Sequence, residues 1–95
     1  MPAYLMAQIR ITREQGWPEY RTAVKELAAR FGGHFIVRGG AIEVLEGAHD
    51  GRRLVIFEFP SMEAIKSFWD SPDYARVKKL REGAGLLDVW AVPGV

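Results

Sequence analysis

Four stretches of this chain switch side with every residue, and a period of two commits them to strands with two unlike faces. Ala3 to Ile11 puts Ala3, Leu5, Ala7, Ile9 and Ile11 on one side, and Tyr4, Met6, Gln8 and Arg10 on the other. His34 to Arg38 sets Phe35 and Val37 against His34, Ile36 and Arg38. Arg53 to Phe59 sets Val55, Phe57 and Phe59 against Leu54, Ile56 and Glu58. Leu86 to Val92 sets Leu87, Val89 and Ala91 against Asp88, Trp90 and Val92. Each stretch thus has a purely apolar side and a mixed one.

The intervening segments carry helical spacing. From Trp17 the apolar residues fall at Tyr20, Val24, Leu27, Ala28 and Phe31, with Pro18 in the first turn, where its missing N–H costs nothing. Glu26 and Arg30 are one turn apart and are expected to pair. Gly32 and Gly33 end that helix. Ser61 is an N-cap ahead of Ile65, Phe68 and Trp69, and Ser71-Pro72 restarts the chain before Tyr74, Val77 and Arg81. Gly39-Gly40 is expected to kink or bulge the second strand, which resumes over Ala41 to Gly47, and Asp50-Gly51 signals a hairpin turn. The order is β-α-β-β-α-β with the second helix broken. That is an α+β, ferredoxin-like arrangement: a four-stranded antiparallel sheet with the helices on one face, in a single domain over residues 1–95.

The other face is the problem. Tyr4, Met6, Ile36, Leu54, Ile56, Trp90 and Val92 are too apolar for open water, and His34, Arg10, Arg38, Glu58 and Asp88 are too polar for a dry core. A second copy laid sheet to sheet would cover it, so a homodimer through this face is expected. The bulk numbers leave few other partners. A net charge of +1 argues against a dedicated nucleic-acid surface, and no segment has the length of a membrane span. With no cysteine there is no disulfide or thiol chemistry, and a cytoplasmic protein is the default expectation.

The runs "GGHFIVRGG", "EVLEG" and "EFPSMEAIKSFWDSPDYARVKKLR", together with the closing apolar strand, resemble the bacterial domain-of-unknown-function family numbered 1330, of the dimeric α/β-barrel superfamily. The resemblance spans essentially the whole chain. It implies a ferredoxin-like protomer whose sheet closes a barrel with its twin's. It implies no activity, although the wider superfamily includes cofactor-less monooxygenases and isomerases whose ligands commonly sit between sheet and helices. Arg38 with Gly39 and Gly40, Glu58 with Phe59, Pro60 and Ser61, and Trp69, Ser71, Pro72, Tyr74 and Arg81 match the family pattern. "REQGWPEY" departs from it, so a role for Trp17 would belong to this protein alone.

The candidate site follows from these residues. Trp69, Tyr74 and Arg81 at the helix break, joined by Tyr20, offer aromatic walls and a cation for a small hydrophobic or aromatic acid. Arg38 is a second anion-binding candidate and is expected to face Glu58 across neighbouring strands. His34 and Glu58 are candidates for moving a proton. The plainer alternatives are core packing for the aromatics and a structural ion pair at a dimer seam for Arg38 and Glu58. His49 beside Asp50 reads as solvated, and so does the basic run Arg76, Lys78, Lys79, Arg81. Two distant histidines form no metal-ligand spacing, so neither a metal nor another cofactor is expected. Three functions stay open: a cofactor-independent enzyme of monooxygenase or isomerase type, a non-catalytic binding or structural dimer, and a tautomerase using an N-terminal Pro2 as base.

Overall fold

The computed structural model describes residues 1–95. Its elements are strand β1 (Ala3–Ile11), helix α1 (Trp17–Arg30), strands β2 (His34–Arg38) and β3 (Arg53–Phe59), helices α2 (Met62–Trp69) and α3 (Pro72–Lys78), a single 3-10 turn (Lys79–Arg81) and strand β4 (Gly85–Pro93). The sheet order is β2-β3-β1-β4, and every neighbouring pair is antiparallel. This is the expected split βαβ topology, with β3 inserted between β1 and β2.

The apolar side of the alternation lies under the helices. Ala3, Leu5, Phe57 and Phe59 meet Val24, Leu27 and Ala28 of α1 and Ile65, Phe68 and Tyr74 of α2 and α3 in one buried cluster. Its aromatics are in mutual contact: Phe68 lies 5.4 Å from Phe59 and 4.9 Å from Tyr74, centroid to centroid. Such pairs contribute about 0.5–1.5 kcal/mol beyond area burial. Gly33 faces this cluster. A Cβ there would lie 2.5 Å from the Phe59 ring, so only glycine lets the α1–β2 link pass.

The ends of α1 are fixed by particular contacts. Gly16, at φ 93°, precedes the helix, and a Cβ on it would run into the Leu80 carbonyl. Trp17 is buried, and its indole N–H donates to the Ala84 carbonyl at 2.9 Å. The departing segment "REQGWPEY" therefore clamps α1 to the turn before β4. The expected Glu26–Arg30 pair does not form. Arg30 instead reaches Asp73 of α3 at 3.4 Å, because α3 packs alongside the exposed end of α1.

Two features of the β2 region depart from the sequence expectation. The strand does not resume over 41–47. That segment is exposed and unpaired, because β2 is the sheet edge and nothing beyond it offers a ladder. And the irregularity lies inside β2, not at Gly39-Gly40. Phe35 pairs with Phe57, but Val37 pairs with Ile56 and Arg38 with Val55, which leaves Ile36 as an extra residue. One inserted residue inverts the alternation after it. Val37 therefore joins the outer face and Arg38 the helix face, the reverse of what the alternation predicts. Gly39, at φ 83°, then turns the chain away from the sheet.

Candidate functional site

Between the helix face of the sheet and α1 the core stops short of the surface. The space left is a cavity of about 370 Å³, within the range of small-molecule sites. Strand residues form its floor, among them Leu5, Ala7, Phe35, Val55, Phe57 and Val89. Trp17, Tyr20 and Val24 of α1, with Phe68, Trp69 and Tyr74, form the walls. The alternation explains the floor, since these strand residues belong to the apolar side.

The polar lining is of one kind. It consists of Arg21, Thr22 and Lys25 from α1, Arg38 from β2 and Arg53 from β3. No carboxylate and no histidine lines the cavity. None of these four cations has an ion-pair partner in the protein. All four are exposed, while the aromatic walls are buried or half-buried, so the charge gathers at the mouth and the grease lies within. The β2 bulge is what brings Arg38 here. Its guanidinium stands 5.1 Å from the centroid of the Phe35 ring, a cation–π contact. Arg38 pairs with Val55, two residues along β3 from Arg53, so the two arginines stand on the helix face of adjacent strands.

Two of the wall residues meet through their phenols. The Tyr20 and Tyr74 hydroxyls are 3.1 Å apart, and an Arg81 Nη donates to the Tyr74 oxygen at 3.3 Å. The Arg81 guanidinium also stands 5.4 Å from the Tyr20 ring centroid. Arg81 does not line the cavity; it lies behind the phenols, with its Nε buried and without a partner. Burial, reinforced by the neighbouring Tyr74 oxygen, raises the Tyr20 pKa far above its ordinary value despite the opposing pull of Arg81. Burial also works against the Arg81 charge, but its hydrogen bond to Tyr74 and its attraction to both phenol oxygens outweigh that, so its pKa is raised too. Ser71 fixes this corner: its hydroxyl accepts from the Tyr74 N–H at 3.1 Å and donates to the Phe68 carbonyl at 2.8 Å.

The two residues singled out for proton transfer lie elsewhere. His34 and Glu58 are on the outer face, 3.4 Å apart, and Glu58 also accepts from the Tyr4 hydroxyl at 3.3 Å. Burial first, and Glu58 second, raise the Tyr4 pKa. The expected Arg38–Glu58 pair does not form, because the bulge sends Arg38 through to the other side; His34 and Tyr4 take its place. The sheet separates His34 and Glu58 from the cavity, so within one protomer they do not act on a ligand there.

Other expectations also shift. His49 is exposed, as expected, but not unattached: its Nε2 lies 3.1 Å from Gln8 Oε1. Beside it, the Arg10 guanidinium donates to the Asp50 carbonyl at 3.2 Å, and Arg52 bridges Asp50 and Asp88. The hydrogen bond from the Arg52 N–H, with the Arg52 charge, holds the Asp50 carboxyl below its ordinary value. Bonding to Asp88 raises Arg52. These contacts tie the end of the long 39–52 connection onto the outer face. Of the basic run, Arg76, Lys78 and Lys79 are exposed, whereas Arg81 turns inward. Pro2 lies outside the cavity, its carbonyl accepting from the Gly94 N–H at 2.8 Å.

Sequence reasoning missed three of the four cations. Arg53 shares the odd-numbered side with Val55, Phe57 and Phe59, a parity that already places it on the helix face. Arg21 and Lys25 sit one turn apart beside the Tyr20–Val24 stripe, a pattern easily taken for a solvated flank.

A family model described as "Domain of unknown function (DUF1330)" matches residues 2–95. No curated protein matches the sequence. Among solved structures, the chain resembles the RPA0582 protein of unknown function from Rhodopseudomonas palustris, with a TM-score of 0.79 at 19% identity, over 99% of this chain and 82% of that one. It also resembles a dimeric ferredoxin-like protein of unknown function from Jannaschia sp. CCS1, with a TM-score of 0.72 at 14% identity, over 99% and 100% of the two chains. A third similar structure is SnoaB, a cofactor-independent oxygenase from Streptomyces nogalater, with a TM-score of 0.69 at 12% identity, over 99% and 93%. At such identities the likeness is one of fold.

Proposed function

This chain belongs to the DUF1330 family of domains of unknown function, and on that footing we propose that it binds a small hydrophobic or aromatic carboxylic acid between its sheet and α1. One observation carries the reading: an apolar cavity whose only charged lining is four unpaired cations. An apolar body would displace water from the walls, and a carboxylate would take the bidentate geometry that arginine offers. Arg38 and Arg53 bind the anion; Tyr20, Trp69 and Tyr74 enclose the body.

The catalytic version of this reading is a cofactor-independent enzyme of monooxygenase or isomerase type; SnoaB, of similar fold, is described as a cofactor-independent oxygenase. Its chemistry needs a group that takes a proton near neutral pH, and none lines the cavity. The substrate itself would have to be acidic at carbon, with the surrounding cations stabilising its anion. The binding reading asks for less and comes first. The protomer is further proposed to pair with a second copy through its outer face, as the exposed Ile36, Leu86, Trp90 and Val92 invite.

Isothermal titration with benzoate and 2-naphthoate, each against its methyl ester, tests the binding reading. The acids should bind at least about tenfold more tightly than the esters, since hydrogen bonds to charged groups are the stronger ones. Arg38→Ala should erase that difference without lowering the melting temperature. Equal binding of acid and ester, or no binding of either, ends the proposal.

A further inference from the structure

The corner of the cavity lined by Tyr20 and Tyr74 holds more donors than acceptors. Tyr20 and Tyr74 carry two hydroxyl protons between them, and the one hydrogen bond that joins them uses a single proton. The bond from Arg81 to Tyr74 brings its own proton and consumes neither. Neither hydroxyl has another acceptor in the protein, so one phenolic O–H stays uncommitted. The Arg81 Nε–H is buried and unpartnered too, but it lies outside the cavity lining and so bears on the phenols and not on a ligand directly. A buried donor left unpaired is costly, so a wall so built favours an occupant that brings an acceptor.

The geometry also indicates which proton is free. An oxygen that accepts from a guanidinium becomes a stronger donor in turn. The chain of bonds therefore runs from Arg81 to Tyr74 to Tyr20, and the spare proton belongs to Tyr20. Tyr74 is 2% exposed, while Tyr20 is only part-buried and edges Trp17 at 5.5 Å in the cavity wall. Tyr20 is thus the better placed of the two to meet a ligand.

We infer that the cavity selects acids that carry a carbonyl oxygen at the end opposite their carboxylate, with the Tyr20 hydroxyl as the donor that reads it. This rests on the acid-binding reading above and extends it from one end of the ligand to both. Tyr74 and Arg81 act through Tyr20, as positioning residues. The raised Tyr20 pKa keeps this group a donor throughout the physiological range.

Matched acids differing only at that atom test the inference. 4-Acetylbenzoate is compared with 4-isopropenylbenzoate, and 6-acetyl-2-naphthoate with 6-isopropenyl-2-naphthoate; in each pair a carbonyl oxygen replaces a methylene of similar shape. Titration of the wild-type protein should favour the acetyl acid at least about tenfold in one ring size or both. Tyr20→Phe should remove the preference, read as the ratio of the two affinities within each pair, while Tyr4→Phe, on the outer face, should leave that ratio unchanged. Arg81→Met should weaken the preference without abolishing acid binding. If both members of each pair bind equally, the inference is overturned and the acid-binding reading stands. If none of the four acids binds, both readings fall. If the preference survives in Tyr20→Phe, the assignment of the donor is wrong.

Discussion

Tyr20 belongs to two accounts at once, the packing of the protomer and the reading of a ligand, and its titration separates them. Its folded-state pKa is raised above the ordinary value of 10.0, chiefly by burial. A raised folded value means that the stabilising contribution is fully present below the unfolded pKa. It is lost as pH climbs from there toward the folded value, because the unfolded chain sheds the proton while the folded one keeps it. The wild-type protein should therefore lose stability relative to Tyr20→Phe from about pH 10 upward, by up to about 1.4 kcal/mol per pH unit. Urea melts of both proteins at half-unit steps of pH check this. Parallel curves for the two would show that the phenol is not held in its neutral form. Neighbouring residues teach the same economy: Trp17 fills the base of α1 and also closes one wall of the cavity, so packing and binding share side chains.

At the scale of elements, the break between α2 and α3 is the joint on which the site depends. Ser61 and Ser71 both cap helices, but they do unequal work. The Ser61 hydroxyl accepts only from the Ala64 N–H, whereas Ser71 both accepts from Tyr74 and donates to Phe68, tying the end of one helix to the start of the next. Ser61→Ala should cost about 1 kcal/mol, and Ser71→Ala nearer 2 kcal/mol. Only the second should also weaken acid binding, since it frees the backbone that presents Tyr74. Denaturant melts with a titration of 2-naphthoate on each variant decide it, and equal costs with unchanged binding would contradict the scheme. Both caps were legible in the sequence, because serine before proline or before an acidic first turn has one local meaning. So were the strands, their order and the aromatic walls Trp69 and Tyr74, since period and parity depend on near neighbours only. The fate of Arg38 was not. The bulge at Ile36 is set by how β2 meets β3, a pairing that strand alternation alone does not encode, and the glycine pair marked the irregularity three residues too late. His34 and Glu58 share the error: parity put them correctly on the outer face, but the cavity formed on the other. The segment 41–47 alternates well and still makes no strand, because the sheet ends before it.

For the whole molecule, the question is what covers the outer face. The Cα envelope measures 36 × 36 × 16 Å, a slab with one layer of helices on a single sheet. Its open side carries Trp90 at 48%, Leu86 at 64% and Ile36 at 46% exposure, a spread of apolar surface that single chains rarely leave in water. The charged groups among them are largely spoken for: Glu58 by His34 and Tyr4, Asp88 by Arg52. A surface whose charges are already paired internally loses less on desolvation, which favours a second sheet lying against it over a charged partner. Trp90 stands across from Met6 within the length of edge strand β4, and under a second sheet a carboxylate there would have to be buried without a partner. Trp90→Glu should therefore convert a dimer at micromolar concentration into single chains, seen by sedimentation velocity. The variant should still fold, because its core lies wholly on the helix side. It should also still bind 2-naphthoate with an affinity close to wild type, because the cavity lies on the helix side of the sheet and Trp90 on the other. A wild-type protein that sediments only as single chains would remove the second copy. A monomeric Trp90→Glu that folds but no longer binds would instead mean that pairing holds the cavity in shape, and would tie the two faces of the sheet into one functional unit.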